Sequence, residues 1–363
     1  MCTSSPAALP APRLGGVISR RGIALGALLA AGPVVMSVVA EAQSVPALSL
    51  ERASRGQTAL VFEQVLRLGS GADTNQMFGQ VWDVALDSRS RVYVLDRSVA
   101  TVQVFSANGR HLFQIGRRGG GPGEFLQAWR LGVGAGDTLL VFDASGPRLS
   151  YFAPDGRFVR SVVLAGSPSN VDMAELPDRN LVLAGFDRAT RNTLHIYDRS
   201  GALLRSFRPV EARELAGFET SLLGGRIDVL PSGDILFTQL SPYSLEIWSS
   251  RGVLKWRCED RNGGLTDPAA VVVRRGDGQG LMWGRFVHSA SVFALSDSLF
   301  LNVAMAPADT VPRFDLVSRS CQLLARQNGG VPLLLTKRTP DRARFAGATN
   351  ADVPGAAVYR LRH

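Results

Sequence analysis

A hairpin pattern recurs along the chain at intervals of 45 to 51 residues. Each copy has an alternating apolar strand that ends in an aromatic or apolar residue, then a short turn and a second strand. The copies are VQVFSANGRHLFQIG (102–116), LSYFAPDGRFVRSVV (149–163), LHIYDRSGALLRSF (194–207) and LEIWSSRGVLKWRC (245–258), with a weaker one, FDLVSRSCQLLA, at 314–325. Self-similarity at this period is typical of architectures that stack one supersecondary unit on the next.

Two further strands precede each hairpin. In the first copy they are WDVALD (82–87) and RVYVLD (91–96), and similar pairs precede the next three hairpins. Four strands joined by short turns form one propeller blade, and a blade buries its faces only against neighbouring blades. The sequence therefore predicts an all-β propeller of four-stranded antiparallel blades.

Six blades account for the length of the chain and for an incomplete repeat near its end. The stretch at 341–361 resembles 178–197 but lacks an outer strand. The apolar stretch ALVFEQVLRLG at 59–69 can supply that strand, pair with the C-terminal blade and remove an open sheet edge. The predicted organisation is a linker at 43–58 and a single six-bladed β-propeller domain at 59–363, with an insertion at 259–279.

Residues 1–42 have the features of a cleavable export signal. Paired arginines at 20–21 precede an apolar run at 22–40, and the AEA at 40–42 matches an A-x-A cleavage site. The SRRG start fits twin-arginine export. The competing interpretation is an uncleaved membrane anchor, but the run contains glycines and a proline that make it a poor span. We expect a periplasmic or secreted protein that meets the membrane only during export, unless the leader is retained.

The net charge of +9 does not indicate a nucleic-acid partner. The 40 basic residues are arginines except for Lys255 and Lys337, a skew that a GC-rich coding sequence would produce. The arginines are scattered and are not clustered with stacking aromatic residues, as an RNA-binding face would require. We therefore expect no nucleic acid among the partners.

The stretch VWDVALDSRSRVYVLDRSVATVQVFSANGRHLFQIGRRGGGPGEF, residues 81–125, resembles repeats of the NHL type. The resemblance is closest over 78–166, fair to residue 258 and weak beyond. It implies a six-bladed propeller whose connectors carry a Gly-x-Gly-x-Gly-x-Phe-like run. It also implies an Asp at the end of each second strand, here Asp96 and Asp143. The chain is similar to exported bacterial propellers, most of which have no assigned chemistry.

The aspartates at these strand ends suit a structural role, because a short carboxylate accepts N–H groups within a loop. Asp187 is a looser third copy. The glycine run GRRGGGPGEF at 116–125 is predicted to be a connector between blades. A phosphate loop would end in Gly-Lys-Ser/Thr and open a helix, whereas this run leads into a strand.

A column of charged residues is predicted along the central channel, where propeller symmetry brings equivalent inner-strand positions together. Asp83, Arg130 and Asp172 each lie nine residues before the second strand of their blade. Asp228 lies seven residues before it, behind a turn taken as two residues shorter. Ser291 is the weaker candidate in the fifth blade, and the sixth blade gives no clear match.

Three interpretations of this column stay open. In the first, Arg130 pairs with one aspartate, while water and backbone N–H groups satisfy the others. In the second, the column is a ligand site at the channel mouth, with Trp82 and Trp129 as apolar walls. In the third, the carboxylates bind Ca²⁺, although Arg130 opposes a cation there. We expect no cofactor and no metal site; Ca²⁺ belongs only to the third interpretation.

Catalytic residue sets are scarce in this sequence. The histidines are His111, His195, His288 and His363, and neither a G-x-S-x-G elbow nor an H-E-x-x-H helix is present. His288, near the start of an inner strand, is the one histidine placed where chemistry could occur. We predict no catalytic residues.

Cys258 and Cys321 are predicted to be free thiols. Both lie in outer strands of neighbouring blades, Cys258 six residues past Gly252 and Cys321 one past the matching Ser320. These unequal heights would keep the two Cα atoms beyond the limit of about 7 Å for a disulfide. The leader carries the third cysteine, Cys2.

The leading functional hypothesis is an exported, non-catalytic, monomeric propeller that binds or scaffolds a protein, peptide or glycan-like ligand. The fold, the leader and the missing catalytic set support it, although fold alone does not fix function. The alternative is a channel-metal enzyme, a Ca²⁺-dependent lactonase- or lyase-like propeller. RNA binding is a third hypothesis, which export argues against.

Overall fold

A computed structural model describes twelve segments of the chain. They are residues 45–52, 59–69, 73–166, 168–211, 224–239, 243–260, 273–274, 281–282, 288–305, 312–331, 334–349 and 353–362. The predicted leader at 1–42 and most of the predicted insertion at 259–279 lie outside them. In the described segments, no helix has the length and apolarity to cross a membrane.

These segments consist almost wholly of β-strands. In chain order the strands are β1 (Leu48–Ser49), β2 (Glu51–Arg52), β3 (Val61–Leu68), β4 (Val81–Leu86), β5 (Val92–Asp96), β6 (Thr101–Phe105), β7 (His111–Ile115), β8 (Ala128–Val133), β9 (Leu139–Asp143), β10 (Arg148–Phe152), β11 (Phe158–Val163), β12 (Ser169–Glu175), β13 (Leu181–Phe186), β14 (Asn192–Tyr197), β15 (Leu203–Pro209), β16 (Gly225–Val229), β17 (Ile235–Gln239), β18 (Ser244–Trp248), β19 (Leu254–Glu259), β20 (Val273–Arg274), β21 (Leu281–Met282), β22 (His288–Ala294), β23 (Leu299–Met305), β24 (Arg313–Ser318), β25 (Gln322–Asn328), β26 (Leu334–Arg338), β27 (Arg344–Thr349) and β28 (Gly355–Arg362). Two short 3-10 helices span Thr74–Gln76 and Ala135–Asp137.

Six antiparallel sheets form the blades of the predicted propeller, which the structure confirms. Blades one to four are β4–β7, β8–β11, β12–β15 and β16–β19; blade five is β22–β25, and blade six is β26–β27–β28–β3. The first strand of each blade contacts the first strand of the next, and β26 contacts β4. These six inner strands therefore surround a central channel. The short strands β20 and β21 pair with each other as a separate hairpin.

The hydrophobic core lies between the blades. It divides into six clusters, and each cluster combines buried side chains from two neighbouring blades. Blades three and four, for example, share a cluster that contains Val182, Ile196, Phe237 and Trp248. The alternating strands thus bury both faces of a sheet only within the closed ring.

The N-terminal strand closes the ring, as the sequence predicts. β3 pairs antiparallel with β28, from Leu68 opposite Ala356 to Val61 opposite Arg362. The Tyr359 hydroxyl donates to Gln64 Oε1 at 3.0 Å across this pair. The last blade thus takes its outer strand from residues that precede the first blade.

The segment 43–58, expected to be a linker, contributes strands in its described part. β1 lies parallel to β19, and β2 lies parallel to β25. The Leu50 N–H donates to the Glu259 carbonyl at 2.8 Å, and the Glu51 N–H donates to the Cys321 carbonyl at 3.1 Å. This segment therefore adds a short fifth strand at the outer edge of blade four and another at the outer edge of blade five.

Cys258 and Cys321 form a disulfide, so the prediction of two free thiols is wrong. Their Cα atoms are 5.6 Å apart. In blades one to four, the turn between the third and fourth strands rests on the outer strand of the preceding blade, as Gly252 of blade four rests on Phe207 of β15. Cys321 occupies the position equivalent to Gly252, with a φ of 61°, and so faces Cys258 at the end of β19.

The disulfide should stabilise the folded chain. Its loop spans 63 residues, for which the chain-entropy relation gives about 4 kcal/mol of stabilisation. Cys321→Ser and Cys258→Ser should each lower the free energy of unfolding by an amount of this order. The double variant should lose little more than either single variant, because one bond is lost in every case.

Denaturant unfolding and thiol counting check this prediction. The unfolded, unreduced full chain should show one reactive thiol, that of Cys2. Three reactive thiols would show that the bond is absent.

Candidate functional site

Equivalent inner-strand positions form a first ring of side chains around the channel. The turns after these strands are equally long in blades one to four, since Leu86 pairs with Val92 and Val229 pairs with Ile235. The position nine residues before the second strand is therefore Arg226 in blade four, and the assumption of a shorter turn at Asp228 is wrong. The members of this charged ring are Asp83, Arg130, Asp172, Arg226 and Ser291.

A second ring lies two residues further along the inner strands. Its members, which we call the floor ring, are Ala85, Gly132, Ala174, Asp228, Phe293 and Lys337. Blades one to three contribute small side chains, and blades four to six contribute large ones. The difference leaves open space beside the first three blades.

All six floor-ring residues line a cavity of about 590 Å³. The cavity opens at the turns that join the first and second strands of the blades. Its apolar surface includes Leu140 and Met173, and its mouth carries charged residues. These charged residues are Asp137, Glu175, Arg179, Arg338 and Arg342.

The channel aspartates link neighbouring blades. Each carboxylate accepts a hydrogen bond from a backbone N–H group of the next inner strand. The pairs are Asp83 with Leu131 at 2.8 Å, Asp172 with Ile227 at 3.2 Å and Asp228 with Ala294 at 2.8 Å. A buried carboxylate needs such donors, so these residues have a structural role. The first interpretation of the column predicts backbone N–H donors of this kind.

Blade six supplies the cations that pair with two of these aspartates. Lys337 Nζ lies 3.0 Å from Asp172 Oδ1, on the opposite side of the channel. Arg338 binds both carboxylate oxygens of Asp228, at 2.6 and 2.7 Å. Arg342, in the following turn, donates to two backbone carbonyls of blades four and five, at 2.9 and 3.0 Å.

Sequence reasoning missed these three residues and Arg226. Arg226 lies at the unmodified nine-residue spacing, so that signal alone could have found it. Lys337 is one of two lysines in the chain. It lies in the basic stretch TKRTPDRAR, whose longer turn hides its alignment with the other blades.

The channel cations change the pKa of their neighbours. Burial raises the pKa of Asp172, but Lys337, Arg226 and Arg130 together bring it below its usual value. Burial and the adjacent Arg130 lower the pKa of Arg226 to about 10. Asp172 is therefore a carboxylate held in its charged form by a cationic environment.

Trp82 and Trp129 lie at the other end of the inner strands. Their ring centroids are 4.6 Å apart, and the Arg97 guanidinium lies 4.4 and 4.9 Å from the two rings. Neither tryptophan lines the cavity. They form a cation–π cluster at the end of the channel away from the floor ring, and the structure does not bring them together with Asp228.

The strand-end aspartates hold the connectors between blades. Asp96 accepts hydrogen bonds from the N–H groups of Gly79 and Gln80, at 2.8 and 3.1 Å. Asp143 accepts equivalent bonds from residues 126 and 127. Asp187 instead accepts one within its own turn, from Thr190.

The glycine run at 116–125 is a folded connector. The Phe125 N–H donates to the Arg117 carbonyl at 2.9 Å, and the Gly119 N–H donates to the Phe125 carbonyl at 3.1 Å. The Phe125 side chain is fully buried, so the run packs against blade two and leads into β8.

The described histidines have structural surroundings. His111 Nε2 hydrogen-bonds with Gln103 at 2.9 Å. His195 is buried beside the Gly185 carbonyl, and burial lowers its pKa. His288 begins β22, but its side chain and His363 lie outside the described residues.

The donor set of the channel does not fit Ca²⁺. Arg338 engages both oxygens of Asp228, and Lys337 and backbone N–H groups engage those of Asp172. Within the described segments, no group of three or more His, Cys, Asp or Glu residues could hold a metal ion. These carboxylates thus pair with cations and accept hydrogen bonds from N–H groups of the protein itself.

The stability that Asp172 contributes through its ion pair should depend on pH. Because its folded pKa lies below the unfolded value of about 4, its contribution to stability is present above that value and is lost as pH falls through the folded pKa. Asp172→Asn should cost about 3 kcal/mol at pH 7, and this difference should shrink below pH 4. Denaturant unfolding across this pH range measures it.

Asp234→Asn is the matched control, because Asp234 pairs with the partly exposed Lys255 on the outer surface at 2.7 Å. Its cost should stay within about 1 kcal/mol at every pH. Equal costs for the two variants would contradict the assigned role of Asp172.

Comparison with known proteins supports this architecture. Residues 75–212, which contain the first three blades, match the family model DUF5128, described as a 6-bladed beta-propeller. No curated protein matches the chain.

Several solved structures share the fold at low sequence identity. A protein of Bacteroides fragilis NCTC 9343 that is inferred to be exported has a TM-score of 0.59 at 12% identity, covering 87% of this chain and 99% of its own. A DUF4221 member from Bacteroides vulgatus ATCC 8482 has a TM-score of 0.54 at 9% identity, covering 85% and 97%. Virginiamycin B lyase from Staphylococcus aureus reaches a TM-score of 0.49 at 9% identity, covering 83% of this chain and 99% of its own. The six closed blades, the family match and the first two structures together identify this chain as a six-bladed β-propeller.

Proposed function

We propose that this protein is an exported, non-catalytic propeller that binds a ligand in the cavity above the floor ring. The observation that carries the proposal is the cavity itself. Its volume of about 590 Å³ lies within the range of about 300–1,000 Å³ typical of ligand pockets. Small side chains in blades one to three create this space, while neighbouring blades project large ones.

The chemistry of the cavity favours binding over catalysis. Two pairs of its charged residues are engaged with each other: Asp228 with Arg338, and Glu175 with Arg179 at 3.2 Å. Asp137 accepts hydrogen bonds from both the Ser88 hydroxyl, at 2.7 Å, and the Ser88 N–H group, at 2.9 Å, so this carboxylate holds the turns of blades one and two together. The described lining residues include no histidine and no cysteine.

The size of the cavity suits a small molecule, a peptide side chain or terminus, or a sugar unit. Apolar surface from Leu140 and Met173 adjoins the polar mouth. A ligand with one apolar part and one polar group would satisfy both surfaces. The structure gives no support for a calcium-dependent enzyme, because the channel carboxylates already accept hydrogen bonds from donors of the protein itself.

Two features support export. Residues 20–42 match a leader with paired arginines and an A-x-A site. The disulfide between Cys258 and Cys321 is a bond that persists in oxidising compartments and is rare in the cytosol. Periplasmic or secreted residence accounts for both.

A cavity-filling substitution tests the proposed function. Compounds, short peptides and oligosaccharides that raise the melting temperature of the full chain are identified first. Ala174→Trp places an indole in the floor ring beside the open space, so it should abolish these shifts or weaken affinity at least tenfold. Isothermal titration of each binding compound measures the change.

Val159→Trp is the matched control. Val159 lies on the outer strand β11 and is 48% exposed, so this variant should bind as the parent does. Compounds that bind both tryptophan variants equally would place the binding site elsewhere and contradict the proposal.

A further inference from the structure

Two half-buried arginines of the channel make no direct ion pair with a carboxylate among the described residues. Arg226 donates to two backbone carbonyls, at 3.1 Å each. Arg342 donates to two others, at 3.0 and 2.9 Å. These carbonyl groups accept from part of the five N–H donors of each guanidinium and do not neutralise its charge, so a bound anion would gain charge-assisted hydrogen bonds there.

The carboxylates nearest to Arg342 are already engaged. Asp228 binds Arg338 through both of its oxygens. Asp297 lies on an exposed turn and accepts the Ser232 N–H at 3.0 Å. Burial, followed by repulsion from Arg338, lowers the pKa of Arg342, while Asp228 and Asp297 oppose this change.

Arg342 also lines the cavity, together with Lys337 and Arg338. All three belong to blade six, so they form one basic wall. Lys337 has three N–H donors and gives one to Asp172. Spare N–H donors and positively charged groups therefore lie on the blade-six side of the cavity.

The opposite wall carries the other sign of charge. Asp137 and Glu175 lie at the mouth on blades two and three, where Ser88 and Arg179 engage them. A negatively charged group entering the cavity is repelled from this wall and attracted to blade six. The apolar floor between the walls leaves room for a hydrocarbon body.

We propose that the cavity takes an organic anion, with its carboxylate or phosphate group bound by Arg342 and Lys337 and its apolar body over the small residues of the floor ring. The inference rests on the proposed function, because it names the chemical class of the ligand for the same cavity. Carboxylate and phosphate are the groups that a guanidinium binds best, through paired N–H donors.

Matched anions and neutral compounds test the proposal on the full chain. The pairs are octanoate with octanamide, benzoate with benzamide, and phenyl phosphate with phenol, all at constant ionic strength. At least one anion should raise the melting temperature and bind at least tenfold more tightly than its neutral partner. The phosphate and carboxylate pairs show which head group is preferred.

Variants of the basic wall then locate the site. Arg342→Gln should reduce anion affinity at least tenfold, whereas Arg342→Lys, which keeps the charge, should restore part of it. Lys255→Gln is the control. It removes the other lysine of the chain, which lies on the outer surface, and should leave anion affinity unchanged. The melting temperature of each unliganded variant establishes that it folds.

The outcomes separate the two proposals. If neutral and anionic members bind equally, and Ala174→Trp abolishes both, the cavity binds ligands but the anion inference is wrong. If an anion binds the parent and Arg342→Gln equally, the inference is also wrong. If no compound in this panel or in the wider screen binds the parent, both proposals fail.

Discussion

No blade of this propeller can bury both of its faces alone, and the rest of the structure depends on that constraint. Each of the six core clusters is shared between two blades, so stability comes from contacts between repeats. The channel aspartates reinforce the same contacts, because each accepts an N–H group from the neighbouring inner strand. Residues that line the channel are therefore first of all residues that join blades.

Blade six differs from the others in what it contributes to the centre. Lys337 and Arg338 extend from it to aspartates of blades three and four. The ring thus gains ion pairs between blades that are not sequence neighbours. The same side chains form the basic wall of the cavity, so one blade both ties the channel together and sets its charge.

Much of the fold could be predicted from the sequence because the same strand pattern occurs in several repeats. The hairpin pattern gives the blades, and the missing outer strand of the last repeat gives the closure by residues 59–69. The strand-end positions of Asp96 and Asp143 give their role in the connectors. Each of these inferences uses a pattern that is local and repeated.

The wrong predictions concern single positions, which a repeat alignment locates correctly only if it is not shifted by even one residue. Asp228 was aligned through an assumed shorter turn, although the unchanged spacing leads to Arg226. Cys321 was matched one residue away from the true equivalent of Gly252. Cys321 was also placed in an outer strand, whereas it lies in the turn before β25 and contacts the outer strand of the preceding blade. Arg338 and Arg342 were missed because the last inner strand precedes a longer turn.

The pairing of β3 with β28 has a consequence for how the chain folds. Gln64 and Tyr359, which hydrogen-bond across this pair, are 295 residues apart in sequence. Contacts of such long sequence separation form late, because the entropy of closing the loop opposes them until other contacts exist. During synthesis, β3 thus stays without its partner strand until the 295 residues from Gln64 to Tyr359 have been made. Until they meet, β28 has an unpaired edge that can recruit another chain, so this seam is where folding competes with aggregation.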